Sequence, residues 1–189
     1  MEHFYQNIEG WFTYPTFYSN IVKKFGNNSH FVEVGSWKGT SAAYMAVEII
    51  NSQKIIKFDC VDTWEGSIEH TDPSSDKYEV GFENNPDFLF QTYLKSIEPV
   101  KNNINSIRLS SYEASQTYKD ASLDFVFIDA AHDYDNVLLD IKSWYPKVKV
   151  GGVISGHDYS WHEPIRRAVH EFFGKIDEEI EGCWVVDKS

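Results

Sequence analysis

The chain has 189 residues, 42% of them hydrophobic, and no linker-like stretch divides it, so we expect a single domain, residues 1–189, with a sizeable core. The formal net charge of −12 argues against nucleic acid or an anionic membrane surface as a partner, because both attract basic patches. The first residues carry no signal-peptide pattern and no stretch approaches the ~18 apolar residues of a membrane span, which predicts a cytoplasmic protein.

Apolar runs alternate with helix-like stretches along most of the chain. The runs that predict strands are 30–34, 56–61, 106–109, 123–128 and 150–155, and residues 179–180 lead towards a last strand at 183–186. The stretches that predict helices are 40–51, 86–97, 135–144 and 164–173. This alternation predicts an α/β fold, with a doubly wound, Rossmann-like, mostly parallel sheet and helices on both faces.

Two segments do not follow the alternation. Residues 1–29 are rich in aromatic side chains and predict a helical cap ahead of the first strand. Residues 64–85 are polar and rich in turn-forming residues, and loops of this length are usually functional or disordered. We expect both segments to cover a pocket, the second as an insertion loop over the substrate site.

The first motif is FVEVGSWKGTS at residues 31–41. Gly35 permits a sharp turn where the strand ends, and Gly39 lets a helix begin close to the sheet. We expect the backbone N–H groups of this loop to be free to bind a ligand. The dinucleotide fingerprint is G-x-G-x-x-G, whereas this loop has G-x-x-x-G preceded by Glu33, which argues against a pyrophosphate site. A purely structural turn is the alternative.

Three further acids lie where predicted strands end. Asp62 ends the second strand, where an acid in a nucleotide-binding sheet accepts hydrogen bonds from ribose hydroxyls. Asp129 follows the fourth strand, with His132 three residues later, and the fifth strand leads to His157 and Asp158. Because the carboxyl ends of parallel strands meet at one edge of a sheet, we expect these acids and imidazoles to converge there. Solvated acids at strand ends are the structural alternative.

In chain order, the motifs EVGSWKGTS, VDTW, LSSYEAS, LDFVFIDAAHDYDNVLLDI and VKVGGVISGHDY resemble the class I S-adenosylmethionine-dependent methyltransferases. The sequence is most similar to the small-molecule O-methyltransferase branch, of the methyltransferase domain 24 type, which includes macrolide-sugar O-methyltransferase-like proteins. The resemblance runs from about Phe31 to Trp184 and implies a seven-stranded sheet. It implies that the reaction is O-methylation of a small-molecule or sugar hydroxyl.

The resemblance also implies which residues hold S-adenosylmethionine. They belong to the loops after the first four strands: Glu33, Gly35, Ser36, Trp37, Gly39, Asp62, Thr63, Trp64, Ser111, Tyr112 and Asp129. Among these, Asp129 is expected beside the methyl group and the substrate. Ser110 departs from the family pattern, which often has an acid at this position.

For catalysis we expect Asp129 and His132, with His132 as the general base, because an imidazole titrates near neutral pH. A capping or packing role is the alternative for His132. Metal-dependent relatives hold a divalent cation through acids equivalent to Asp129 and Asp158, which predicts a site for Mg²⁺ or a similar ion here, with His157 as a further ligand. Catalysis without a metal stays open.

Two other functions compete with methyl transfer. One is a nicotinamide-dependent oxidoreductase on a related sheet, and the other is a cofactor-binding module without chemistry. We expect a small-molecule acceptor as the partner, and aromatic residues near the proposed site suit either a sugar or an aromatic ring. The sequence leaves the oligomeric state open, with a homodimer as one alternative.

Overall fold

The computed structural model describes residues 1–75, 77–83 and 85–189, with the backbone alone at residues 68 and 69. Asp76 and Asn84 of the predicted insertion loop lie outside this description. The strands are β1 Ser29–Val34, β2 Ile56–Asp62, β3 Asn105–Arg108, β4 Leu123–Ile128, β5 Val148–Gly156, β6 Glu178–Ile180 and β7 Cys183–Asp187. The α-helices are α1 Pro15–Lys24, α2 Thr40–Ser52, α3 Ile68–Thr71, α4 Phe88–Ser96, α5 Ser111–Ser115, α6 Tyr134–Trp144 and α7 Glu163–Phe173.

The described strands form one seven-stranded sheet in the order β3-β2-β1-β4-β5-β7-β6. Strands β1 to β5 pair in parallel, while β7 is antiparallel to both β5 and β6. The predicted α/β fold with a mostly parallel sheet is therefore confirmed. The strand order reverses between the adjacent strands β1 and β4, so a ligand crevice is expected beyond their carboxyl ends.

Each face of the sheet buries its own hydrophobic core, because alternate residues of a strand point to opposite faces. Phe31 of β1 and Phe125 of β4 pack beneath α1, α2 and α4. Val32 and Val126, one residue further along the same strands, pack beneath α5, α6 and α7. Glu33 lies two residues after Phe31, which puts a carboxylate on the face that α1 covers.

The elements differ from the sequence prediction mainly at their ends. Strand β5 begins at Val148, two residues before the predicted start, and its pairing with β4 shifts register between Leu123 and Phe125. Helix α5 was not predicted, although Ser110 and Glu113 form a capping box that the pattern S-x-x-E specifies. None of the helices in the described part of the chain is long and apolar enough to cross a membrane.

The N-terminal segment and the 64–85 segment both contact the loop after β1. Lys38 of this loop is buried, and its Nζ lies 3.1 Å from a carboxylate oxygen of Glu9 and 2.7 Å from one of Glu79. Beside it, the ring of Trp37 packs on the ring of His70, with 4.1 Å between their centroids. The two segments thus border the carboxyl edge of the sheet at the point where the strand order reverses.

Candidate active site

The loop after β1 is held close to the loop after β4. Gly35 has a φ of +89°, and a Cβ there would lie 2.1 Å from the backbone oxygen of Asp129. Gly39 has a φ of +91°, and its Cβ would lie 3.0 Å from Ile97 and 3.1 Å from Tyr93. Both glycines are therefore required by positive φ and by close packing within the protein.

Glu33 lies beneath this loop, and only 1% of its surface is exposed. Tyr18 donates a hydrogen bond to one carboxylate oxygen at 2.7 Å, and the Ser36 hydroxyl donates to the other at 2.8 Å. Burial raises the pKa of Glu33 to about 7, although these hydrogen bonds act in the opposite direction. Near neutral pH this carboxyl group is thus divided between its protonated and charged forms.

The carboxylate of Asp62, at the end of β2, accepts hydrogen bonds from the backbone of the glycine loop. One carboxylate oxygen accepts the N–H groups of Ser36 at 2.8 Å and Trp37 at 2.9 Å, and the other accepts the N–H group of Trp64 at 2.8 Å. The prediction that the N–H groups of this loop are free is therefore wrong for Ser36 and Trp37. It is also wrong for Gly35 and Gly39, whose N–H groups donate to the backbone oxygens of Val61 and Ser36. Burial raises the pKa of Asp62, and the backbone hydrogen bonds oppose this effect.

The two residues after Asp62 have different surroundings: Trp64 lies in the hydrophobic core, and Thr63 contacts β3. The Trp64 side chain is fully buried, packs on Tyr93 and donates from Nε1 to the backbone oxygen of Trp37 at 2.9 Å. The backbone oxygen of Thr63 accepts a hydrogen bond from Arg108 at 3.2 Å. Trp64 thus fixes the conformation of the glycine loop from below.

The two residues predicted to meet adenine begin helix α5. The Ser111 hydroxyl donates to Asp140 at 2.5 Å and accepts from Nε1 of Trp144 at 2.9 Å, so this side chain faces α6. Burial raises the pKa of Asp140 to about 6. Tyr112, in contrast, is 51% exposed. Of this pair, Tyr112 is the more exposed, while the partly buried Ser111 has its hydroxyl bonded to α6.

A cluster of potential metal ligands lies at the carboxyl ends of β4 and β5. Asp129, His132 and Asp158 each offer one ligand atom, and these atoms lie within 4.8 Å of one another. Nε2 of His132 is 2.9 Å from a carboxylate oxygen of Asp158. The convergence predicted for these two strand ends is thus present in the structure.

His157 lies beside this cluster and faces a different partner. Its Nδ1 is 3.3 Å from Asp158 and 4.0 Å from Asp129, while its Nε2 is 3.1 Å from the Thr13 hydroxyl. The ligand atoms that lie within 4.8 Å of one another include His132, whereas the sequence prediction named His157, so which histidine would bind a cation stays a prediction. Asp158 has a φ of +60°, so the chain turns sharply at the end of β5.

Burial and charge act in opposite ways on the two carboxylates. Burial raises the pKa of Asp129, which also accepts a hydrogen bond from the buried Tyr14 hydroxyl at 3.0 Å. Burial would also raise the pKa of Asp158, but hydrogen bonds from His132 and His157 outweigh it and lower that pKa well below its usual range. One oxygen-rich site thus carries a firmly charged carboxylate beside one whose charge is disfavoured.

One exposed tryptophan borders the cluster, and a second lies beside the loop after β1. Trp161 is 56% exposed, and its Nε1 donates to a carboxylate oxygen of Asp158 at 2.5 Å. Trp11 is 69% exposed and lies near Trp37, with 6.5 Å between ring centroids. Exposed indole rings beside a polar cluster offer flat apolar surfaces to a ring-shaped ligand.

A cavity of about 310 Å³ lies away from this site, at the amino-terminal ends of β1 and β2. Its lining includes the fully buried Asp59, whose carboxylate binds His30 at 2.7 Å and the Tyr118 hydroxyl at 2.7 Å. Burial would raise the pKa of Asp59, but hydrogen bonds from His30, Tyr118 and Asn105 outweigh it and lower the pKa to about 2. Asp59 thus joins three elements of the fold.

The sheet order, the glycine loop after β1 and the acids after β2 and β4 define a class I S-adenosylmethionine-dependent methyltransferase. A family model described as Methyltransferase domain (Methyltransf_24) matches residues 32–159, and the chain belongs to this family. The resemblance inferred from the sequence motifs is therefore confirmed. No curated protein sequence matches the chain.

Solved structures share the fold at low sequence identity. The O-methyltransferase NovP is 15% identical, with a TM-score of 0.60 over 93% of this chain and 79% of that chain. A putative caffeoyl-CoA O-methyltransferase from Staphylococcus aureus is 14% identical, with a TM-score of 0.65 over 97% and 87%. Cofactor-bound Rv0187 from MTB is 13% identical, with a TM-score of 0.61 over 93% and 80%.

Proposed function

We propose that this methyltransferase transfers the methyl group of S-adenosylmethionine to a hydroxyl of a small molecule, at a divalent-cation site formed by Asp129, His132 and Asp158. The observation that carries the proposal is the grouping of these three ligand atoms within 4.8 Å, at the sheet edge where the strand order reverses. The two carboxylates suit Mg²⁺ or Mn²⁺, which prefer oxygen ligands, whereas the imidazole favours a softer ion.

The cofactor side of the proposal rests on Asp62 and the glycine loop. A carboxylate has about four acceptor positions, and three backbone N–H groups occupy three of them in Asp62. The ribose hydroxyl is assigned to Asp62 by the resemblance, as a further donor to this carboxylate. Glu33 supports the loop from below through Ser36, which places a carboxyl group next to the part of the loop that the resemblance assigns to the methionine moiety.

Methyl transfer from a sulfonium needs an aligned and deprotonated nucleophile. A cation held at the cluster would supply positive charge that favours the deprotonated acceptor hydroxyl. Asp129 and Asp158 contribute the negative charge that attracts such a cation, and His132 is fixed towards the site by its contact with Asp158. Holding the reactants in line supplies much of the rate gain, up to about 7–11 kcal/mol in favourable intramolecular reactions.

The general-base role predicted for His132 is the competing assignment. Nε2 of His132 lies 2.9 Å from Asp158, which fits a ligand held in orientation and also fits a base paired with an acid. The two roles differ in what removal of the imidazole does. Loss of a ligand weakens cation binding, whereas loss of a base lowers turnover and leaves cation affinity unchanged.

A hydroxyl acceptor is favoured because two of the structural neighbours are named as O-methyltransferases, NovP and the putative caffeoyl-CoA enzyme. A ring-shaped acceptor is favoured by the exposed side chain of Trp161, which contacts Asp158 of the cluster. These two features support a sugar or a phenolic ring equally.

The test begins with the purified protein stripped by a chelator. Titration calorimetry with S-adenosylhomocysteine and with NAD separates a methyltransferase from an oxidoreductase. Transfer of labelled methyl groups is then measured for a catechol, a caffeoyl ester and a free sugar, with and without Mg²⁺ or Mn²⁺. We expect cofactor binding without metal and methyl transfer only with metal.

Three results would contradict this proposal. Full activity in the stripped protein would remove the cation and leave His132 as the activating group. Binding of NAD in place of S-adenosylhomocysteine would favour the oxidoreductase. Cofactor binding without transfer to any hydroxyl compound would favour a binding module.

A further inference from the structure

We infer that Thr13 and Tyr14 are positioning residues for the cluster of potential metal ligands. Tyr14 orients Asp129, and Thr13 orients Asp158 through His157. The inference rests on the proposed cation site. Neither residue lies in the region 32–159 that the family model matches, so family membership assigns them no role.

Tyr14 holds one oxygen of Asp129. The Tyr14 side chain is 1% exposed, and its hydroxyl donates to Oδ2 of Asp129 at 3.0 Å. Its ring is fixed by packing on Phe127 at 4.9 Å and on Phe12 at 4.7 Å between centroids. The other oxygen of Asp129, Oδ1, is the one that lies 4.0 Å from His157. A rigid donor on Oδ2 thus leaves Oδ1 directed towards the histidine side of the site.

Thr13 acts on the second carboxylate through an imidazole. The Thr13 hydroxyl lies 3.1 Å from Nε2 of His157, and Nδ1 of the same ring lies 3.3 Å from Oδ1 of Asp158. A ring with a partner at each nitrogen keeps a single orientation, so the Asp158 carboxylate is held on one side. The other oxygen, Oδ2, faces His132 at 2.9 Å.

The segment that carries Thr13 and Tyr14 is anchored on both sides. Upstream, Glu9 lies 3.1 Å from the buried Lys38. Downstream, the backbone N–H of Phe17 donates to Glu181 at 3.0 Å. Partners on either side of residues 13 and 14 hold them against the cluster, which a positioning role requires.

The experiment measures Mn²⁺ affinity by electron paramagnetic resonance in the wild type, Tyr14→Phe and Thr13→Val. Groups that orient metal ligands typically change metal affinity by about 10–100-fold when removed, so we expect about tenfold weaker Mn²⁺ binding for Tyr14→Phe. Thr13→Val should shift affinity in the same direction. Tyr44→Phe is the matched control, because it also removes a buried tyrosine hydroxyl, whose partner is Ser19 at 2.8 Å. Affinity for S-adenosylhomocysteine is measured in every variant.

Weaker Mn²⁺ binding in both test variants, with cofactor affinity retained and Tyr44→Phe unchanged, would support the inference. Wild-type Mn²⁺ affinity in both test variants would overturn it and leave the cation site intact. Equal weakening in Tyr44→Phe would also overturn it, since any lost hydroxyl would then suffice. A wild type that binds no Mn²⁺ would overturn the cation proposal and this inference together. Thr13 is exposed, so Thr13→Val decides the matter if Tyr14→Phe does not fold.

Discussion

Replacing Glu33 by glutamine should remove a large part of the pH dependence of stability between pH 5 and pH 8. Burial raises the pKa of this carboxyl group from an ordinary 4.5 to about 7. Between these two values the folded protein keeps a proton that the unfolded chain has released. Stability from this group is therefore complete below pH 4.5 and is lost as the pH rises towards 7.

The size of the effect follows from the shift. Each pH unit inside the window changes the free energy of unfolding by about 1.4 kcal/mol per proton, so the two units between pH 5 and pH 7 give about 3 kcal/mol. The neutral amide of Glu33→Gln does not titrate. Relative to this variant, the wild type should therefore lose about 3 kcal/mol of stability from pH 5 to pH 8.

The assay is urea denaturation of both proteins at pH 5, 6, 7 and 8, because the difference between them cancels the other titrating groups. Tyr18→Phe is an informative third protein. It removes a hydrogen bond that lowers the pKa of Glu33, so its loss of stability should continue to a higher pH than in the wild type. Parallel profiles for wild type and Glu33→Gln would refute the reasoning, because Glu33 would then titrate alike in the folded and unfolded states.

Three further predictions concern the loops and the sheet. Gly35→Ala should lower the free energy of unfolding by about 2 kcal/mol or more, because the added Cβ meets the Asp129 backbone. Gly151 also has a positive φ, +80°, but nothing lies within 4 Å of an added Cβ, so Gly151→Ala should lower the free energy of unfolding by only about 1 kcal/mol. Thermal and urea unfolding compare the two. Asp62→Ala should weaken cofactor binding and also lower the free energy of unfolding by about 3 kcal/mol, since three backbone N–H groups lose their acceptor. Weaker cofactor binding with an unchanged free energy of unfolding would contradict this. The ionised Asp59 should stabilise the wild type fully above pH 4. Relative to Asp59→Asn, the free energy of unfolding of the wild type should fall by about 2 kcal/mol as the pH drops from 4 to 2, which urea unfolding at acidic pH would measure.

Sequence periodicity was sufficient for the sheet and for the convergence of acids at its edge. Parallel strands carry the residues after them to one side, so Asp129 and Asp158 could be placed together from chain order alone. Periodicity could not tell which histidine joins them. The ligand atoms of His132 and the two acids group within 4.8 Å, whereas His157 contacts Thr13 on one side and Asp158 on the other, and both arrangements depend on the folded loops.

The contacts that sequence reasoning missed connect residues far apart in the chain. Tyr14 and Asp129 are separated by 115 positions, and no local pattern around either residue predicts their hydrogen bond. Asp62 was placed correctly at a strand end, but its hydrogen bonds to Ser36 and Trp37 depend on how the two loops approach each other. The S-x-x-E pattern that begins at Ser110, in contrast, is a local pattern from which the start of helix α5 could have been predicted.

The contact between Gly35 and the backbone of Asp129 has a consequence for how specificity can change. The N–H of Asp129 also donates to Val34 at 2.8 Å, so the loop that would hold the methyl donor and the loop that would hold the acceptor are bonded main chain to main chain. The main-chain distance between these two loops is therefore set by the pairing of β1 with β4. Substitution of the exposed Trp161, whose side chain contacts Asp158, should therefore leave the main-chain spacing between the two loops unchanged.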